Sequence, residues 1–128
     1  MAELDKRLAE IEARIETLEP EEAMRLVGDR NICFVDLRDG FELLENGMIP
    51  GAEHCPRGSL EFRIPKDSQW YRPFFGEQKR FVFYCSHGQR SILATETALR
   101  LGLENVCHIR GGMNAWLAAG GPVAKHES

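Results

Sequence analysis

Apolar residues at Leu4, Leu8, Ile11, Ile15 and Leu18 are spaced alternately four and three apart, which predicts an amphipathic helix with a single apolar stripe. Glu3 with Arg7 and Glu10 with Arg14 fall at favourable i, i+4 spacing on its wet side. The stripe covers barely two heptads. It has the makings of a homodimer contact through residues 4–18, although packing on its own domain is the simpler expectation. Pro20 at a first helical position, Glu21 and Glu22 in the first turn and Gly28 at the end predict a second, short helix.

The pattern then changes from periodic to continuous. Ile32 to Val35 is an unbroken apolar run ending at Asp36, and Phe41 to Glu45 predicts a helix stopped by Asn46-Gly47. Ile49-Pro50-Gly51-Ala52 predicts a turn into a short strand near His54 and Cys55. From Arg57 to Lys79 no clean period survives, and prolines at 65 and 73 mark a long connection. A strand over 81–84 follows, then a helix from about Ser91 to Leu101 with Ile92, Leu93, Thr95, Ala98, Leu99 and Leu101 available for burial and Gly102 as its stop. Val106 to Ile109 predicts a strand, Gly111-Gly112 a turn, and Asn114 to Ala119 a last helix. Continuous apolar strands separated by helices indicate an α/β domain with a mainly parallel sheet covered on both faces. Such sheets carry their sites at the carboxyl ends of the strands. Asp36 and Cys85 both fall there.

Composition narrows the function. A chain of 128 residues, 43 % hydrophobic and 28 % charged, is one ordinary globular domain with room for a single core. The formal net charge of −4 and the lack of a basic stripe argue against a nucleic-acid partner. No apolar run is long enough to span a bilayer. The amino terminus is charged from its third residue, which argues against a secretory signal and points to the cytoplasm.

Cys33, Cys55, Cys85 and Cys107 are far apart and form no Cys-x-x-Cys pair, so neither a metal site nor any other cofactor is expected. A disulfide framework does not suit a reducing compartment. Cys33 and Cys107 lie inside apolar strands, where a thiol behaves as a small hydrophobe. Cys85 differs from them. The run Phe81-Val-Phe-Tyr-Cys-Ser-His-Gly-Gln-Arg-Ser91 carries a strand into Cys85, then a polar loop, then a helix amino terminus. A cysteine curled over such a terminus faces N–H groups whose dipoles favour negative charge. Gly88 lets the backbone turn, and Arg90 adds a cation. The loop is expected to cradle an anionic sulfur.

Four ordered motifs extend this reading: Val35-Asp36-Leu37-Arg38, Gly47-Met48-Ile49-Pro50-Gly51-Ala52, Tyr84-Cys85 to Ser91, and Arg110-Gly111-Gly112-Met113-Asn114-Ala115-Trp116. In that order and spacing they resemble a single rhodanese domain. The likeness covers roughly Ile15 to Val123, which suggests a helical extension over 1–14 and a rhodanese-like domain over 15–124. One departure is visible: Gly47-Met48 stands where the family usually has Gly-His, a histidine that usually supports structure. The resemblance implies a three-layer fold with a central, mainly parallel five-stranded sheet and helices on both faces. It also implies sulfurtransferase activity of the thiosulfate:cyanide type, with a persulfide carried on Cys85, a small sulfur-containing anion as donor, and cyanide or a thiol as acceptor.

On this reading Ser86, His87, Gly88, Gln89, Arg90 and Ser91 surround the bound sulfur, chiefly through their backbone amides. Ser91 has a second candidate role, capping the following helix. His87 is either a proton shuttle or a spectator. Asp36 and Arg38 are expected to brace the strand ends, while Arg110 either rims the pocket or is solvated. Trp70, Tyr71, Phe74 and Phe75 are expected as satellite core, Trp116 as packing and Cys55 as a buried thiol rather than a resolving one. Two rivals stand beside it. One is a Cys-loop phosphatase or arsenate reductase, although only four residues separate Cys85 from Arg90, one fewer than in tyrosine phosphatases. The other is a non-catalytic rhodanese-like module that binds a partner or senses redox state.

Overall fold

The computed structural model describes residues 2–126. Its chain runs α1 (Glu3–Glu12), β1 (Glu16–Leu18), α2 (Pro20–Met24), β2 (Ile32–Asp36), α3 (Gly40–Asn46), β3 (Glu53–His54), α4 (Leu60–Arg63), β4 (Arg80–Tyr84), α5 (Gln89–Arg100), β5 (Val106–Ile109) and α6 (Gly112–Ala118). The strands form one five-stranded sheet in the order β1-β5-β4-β2-β3, and every strand pairing in it is parallel.

The central strands β2, β4 and β5 are largely apolar because both faces of the sheet are buried there. Alternation sends Cys33, Val35, Phe81 and Phe83 to one side, where they meet Leu60, Phe74, Phe75, Ala94 and Ala98. Phe34, Val82, Tyr84, Cys107 and Ile109 point to the other side, against Ala23, Met113 and Trp116. Trp116 is fully buried, and its indole N–H donates to the Pro122 carbonyl at 2.8 Å. Of the aromatic residues between Arg57 and Lys79, Phe74 and Phe75 are core and Tyr71 packs on its margin. Trp70 stays half exposed, edge-on to Phe62.

The amino-terminal stripe divides where a continuous helix is expected. The helix α1 stops at Glu12, and Leu18 enters an edge strand paired with β5. Open N–H and C=O groups at the sheet edge outweigh the helical period, because pairing satisfies backbone that would otherwise end unpartnered. Leu8 and Ile11 pack on Ile92 of α5, and Leu4 is exposed. Arg14 leaves Glu10's carboxylate to pair with Glu96 of α5 at 3.1 Å, while its Nε donates to the Glu10 carbonyl.

Smaller corrections follow from local chemistry. The connection after Arg57 contains α4 and two 3-10 turns, Arg57–Ser59 and Pro73–Gly76, each too short to leave a periodic signal. Leu99 and Leu101 at the end of α5 face solvent. Met48, in place of the usual histidine, is buried, and its backbone bridges Ala124 with hydrogen bonds of 2.9 and 2.8 Å.

Candidate active site

The neighbouring strands β2 and β4 end in register, with Asp36 opposite Tyr84, so Arg38 and Cys85 emerge at the same end of the sheet. Cys85 is 1 % exposed. Its Sγ accepts the Gly88 N–H at 3.2 Å and lies 3.8 Å from Ser91 Oγ. Gly88, at φ +96°, is the amino-terminal cap of α5, so the sulfur lies over the positive end of a twelve-residue helix. The helix begins two residues before the position expected from sequence. Ser91 is therefore not its cap but lies in its first turn, donating to the Gly88 carbonyl at 3.1 Å.

A second helix holds the loop from outside. The N–H groups of Met113 and Asn114, at the start of α6, donate to the carbonyls of Cys85 and Ser86 at 2.7 and 3.0 Å. This contact explains Gly111-Gly112. A Cβ on Gly112, which has φ +60°, would stand 2.3 Å from the Cys85 carbonyl oxygen and 2.8 Å from Ser86 C. Gly112→Ala is thus expected to cost at least about 2 kcal/mol and to displace the loop, lowering both the Tm by calorimetry and the rate of Cys85 alkylation. Unchanged values for both would refute this role.

The remaining expected site residues sort by burial. Asp36 and Arg38 are 0 % and 1 % exposed. Arg38 Nη2 and Nε donate to the Asp36 carboxylate at 2.7 to 3.2 Å. The guanidinium also reaches Asn46 Oδ1 and the Gly47 carbonyl, each at 2.6 Å. Burial works against the Arg38 charge, but the Asp36 hydrogen bonds outweigh it and hold the group protonated. The pair ties the end of β2 to the end of α3 and, among the described residues, makes no hydrogen bond to Cys85. Arg110 points outward to Glu19 at 2.7 Å and Glu12 at 3.4 Å. His87 is exposed and its Nδ1 meets Asn114 Nδ2 at 3.0 Å. Gln89 is exposed at the start of α5.

Arg90 stands over the loop but is paired with a carboxylate. It donates to both oxygens of Glu42 at 3.2 and 3.0 Å, and to Ser86 Oγ at 3.3 Å. Glu42 also closes the capping box of α3, accepting the Asp39 N–H at 2.8 Å. Burial raises the Glu42 carboxyl pKa, but the Arg90 and Asp39 hydrogen bonds prevail and hold it below the ordinary range. Sequence reasoning missed Glu42 in this role, although the box Asp39-x-x-Glu42 was there to read. It also missed His108, a buried imidazole in an apolar strand with Ser91 Oγ 3.0 Å from its Nδ1.

Cys33, Cys55 and Cys107 are free and buried. Burial pushes Cys33 up to about 12 and Cys107 up to about 11, and raises Cys55 as well, which makes them poor nucleophiles. Among the described residues no group of three His, Cys, Asp or Glu is placed to hold a metal ion. No described helix is long and apolar enough to cross a membrane. A cleft of about 740 Å³ lies at the other end of the sheet among Asn31, Phe75, Gln78, Arg80 and Asn105. The chemistry places the candidate site at Cys85 instead, because that cleft holds neither a cysteine nor a histidine.

The chain is similar to known proteins over most of its length. The profile of the rhodanese-like domain matches residues 19–119. A sulfurtransferase of Allochromatium vinosum is 32 % identical over 108 residues, which cover 82 % of this chain and 90 % of that protein. The thiosulfate sulfurtransferase/rhodanese-like domain-containing protein 3 of Mus musculus is 30 % identical over 112 residues, covering 84 % of this chain and 71 % of that one. A solved structure from Rhodopseudomonas palustris, described as a protein of unknown function and possible tyrosine phosphatase, superposes with a TM-score of 0.92 at 44 % identity. It covers 97 % of this chain and 96 % of that one.

Proposed function

Because the chain belongs to the rhodanese-like domain family, which has sulfurtransferase members, we propose that it moves sulfane sulfur from thiosulfate or a related anionic donor to cyanide or a thiol through a persulfide on Cys85. One observation carries this reading. The Cys85 sulfur already occupies the floor of the loop, where it accepts the Gly88 amide over the amino end of α5.

In the first step the Cys85 thiolate attacks the outer sulfur of thiosulfate. The S–S bond of the donor breaks, sulfite leaves with the electron pair, and a new S–S bond forms at Cys85. Loop N–H groups and Arg90 face the departing charge. Arg90 is held in position by Glu42, so its net pull is weaker than that of a free cation and its planar fork matters more for orientation. In the second step the acceptor attacks the outer sulfur, the S–S bond breaks again, and the thiolate returns. Residues 15–124 form the working domain on this proposal, with the four free cysteines suiting a reducing, cytoplasmic setting.

The phosphatase description of the Rhodopseudomonas palustris relative supports one rival. Four residues between Cys85 and Arg90 make a tight bowl that suits one sulfur atom better than a tetrahedral phosphate. Turnover decides between them: thiocyanate formed from thiosulfate and cyanide, with ping-pong kinetics and no hydrolysis of p-nitrophenyl phosphate, is the expected result. Phosphate release without thiocyanate would overturn the proposal.

A further inference from the structure

A file of polar groups joins Cys85 to the amino-terminal helix through the protein interior. Ser91 Oγ lies 3.8 Å from Cys85 Sγ and 3.0 Å from His108 Nδ1. On the far side of the ring, His108 Nε2 lies 3.1 Å from Thr17 Oγ1 and 3.5 Å from Glu12 Oε2. Ser91 and His108 are each 0 % exposed, whereas the Glu12 side chain is 29 % exposed. The file thus begins at the sulfur and ends at a carboxylate that reaches water.

The fold makes this line from four elements, with Glu12 at the end of α1. His108 alternates with Cys107 and Ile109, so it leaves the Trp116 face and turns toward α5. Thr17 is its register partner on β1, and Ser91 stands in the first turn of α5. A fully buried imidazole is tolerable only if both nitrogens find partners, and here both do. The Ser91 hydroxyl has two acceptors in reach, the Gly88 carbonyl at 3.1 Å and His108 Nδ1 at 3.0 Å. The relay uses the tautomer with the Nε2 hydrogen toward Glu12, in which the hydroxyl hydrogen turns from Gly88 to the Nδ1 lone pair.

We propose that Ser91 and His108, oriented by Glu12, form a buried proton relay that takes the proton from Cys85 as the sulfur turns nucleophilic. The thiol proton passes to Ser91 Oγ while the hydroxyl proton of Ser91 passes to His108 Nδ1. One S–H and one O–H bond break, one O–H and one N–H bond form, and no electrons change hands. The products are a thiolate under the Gly88 amide and an imidazolium facing Glu12. His108 touches neither donor nor acceptor and is a positioning residue acting through Ser91.

The charges around the ring fit this role. Glu12 faces it from α1, Arg110 lies just past the end of its own strand, Cys85 stands beyond Ser91, and β1 and α5 offer the hydroxyls of Thr17 and Ser91. Burial lowers the proton affinity of His108 below the ordinary value of 6.5; Glu12 opposes this and Arg110 adds to it. Burial thus opposes the imidazolium, and Glu12 is the group that offsets that cost when the ring accepts.

The inference rests on Cys85 being the nucleophile of the proposed reaction, yet its test needs no sulfur donor. Alkylation of Cys85 by iodoacetamide, followed by peptide mass mapping from weakly acidic to alkaline pH, reads deprotonation directly. His108→Gln is expected to slow it about a hundredfold at neutral pH, the modest end of what a general base contributes. The deficit should close as pH rises, because hydroxide then removes the proton itself. Glu12→Gln, at the protein surface, should show a smaller deficit of the same shape, and it decides the matter if the His108 variant does not fold. Rates equal to the parent at every pH, or a deficit of constant size, would overturn the relay. Wild-type protein that shows this pH profile but takes up no sulfur from thiosulfate supports the relay and refutes the sulfurtransferase reading.

Discussion

Replacing Cys85 with alanine or serine is expected to abolish thiocyanate formation, a loss of more than about a thousandfold, since no other group can carry the transferred sulfur. The other three cysteines cannot substitute, being buried in strands or strand ends with thiols pushed up by burial. Serine keeps an acceptor for the Gly88 N–H, and alanine removes it, so alanine alone should cost about 1 to 2 kcal/mol of stability. Urea melts and steady-state rates on both variants separate the two effects. A non-catalytic binding module would give the opposite pattern: no turnover in the parent, and partner binding kept in both variants.

The largest expected loss of stability belongs to Asp36. Both members of its ion pair are essentially fully buried, and the carboxylate is the only counter-charge within hydrogen-bond reach of Arg38 in the described structure. Asp36→Leu strands a buried guanidinium and is expected to cost about 3 to 5 kcal/mol. The double variant Asp36→Leu with Arg38→Met removes both charges and should be less damaged than the sum of the single changes, with a coupling of about 1 to 3 kcal/mol. Additive losses in urea denaturation would show that the pair does not act as a unit. Because neither residue hydrogen-bonds to Cys85 in the described structure, the folded fraction of each variant should keep most of its turnover. A collapse of kcat in folded Asp36→Leu would instead assign the pair to the chemistry.

How far the sequence could be read follows the range of the forces involved. Strands β2, β4 and β5 were plain because burial on both faces demands apolar runs, and Asp36 and Cys85 were found because parallel sheets expose their strand ends together. The capping signals at Gly47 and Gly102 are local, and each holds, with φ of +70° and +102°, whereas α2 stops at Met24, four residues before Gly28. What failed was set by partners distant in sequence. Ile15 and Leu18 continue the helical period of α1, yet the open edge of β5 captures Leu18 into a strand. Arg90 reads as a free cation until α3 brings Glu42 to it. His108 carries no local signal beyond being polar in an apolar strand, and only the packing of α1 and α5 gives it Glu12 and Ser91. The extension expected over residues 1–14 forms α1, which supplies Glu12 at the outer end of that file.

Intact-mass analysis after exposure to thiosulfate tests the central claim most directly. The account predicts a gain of one sulfur atom, mapped to Cys85 and lost on adding cyanide. No gain, a gain on Cys33, Cys55 or Cys107, or an adduct that cyanide leaves in place would contradict it.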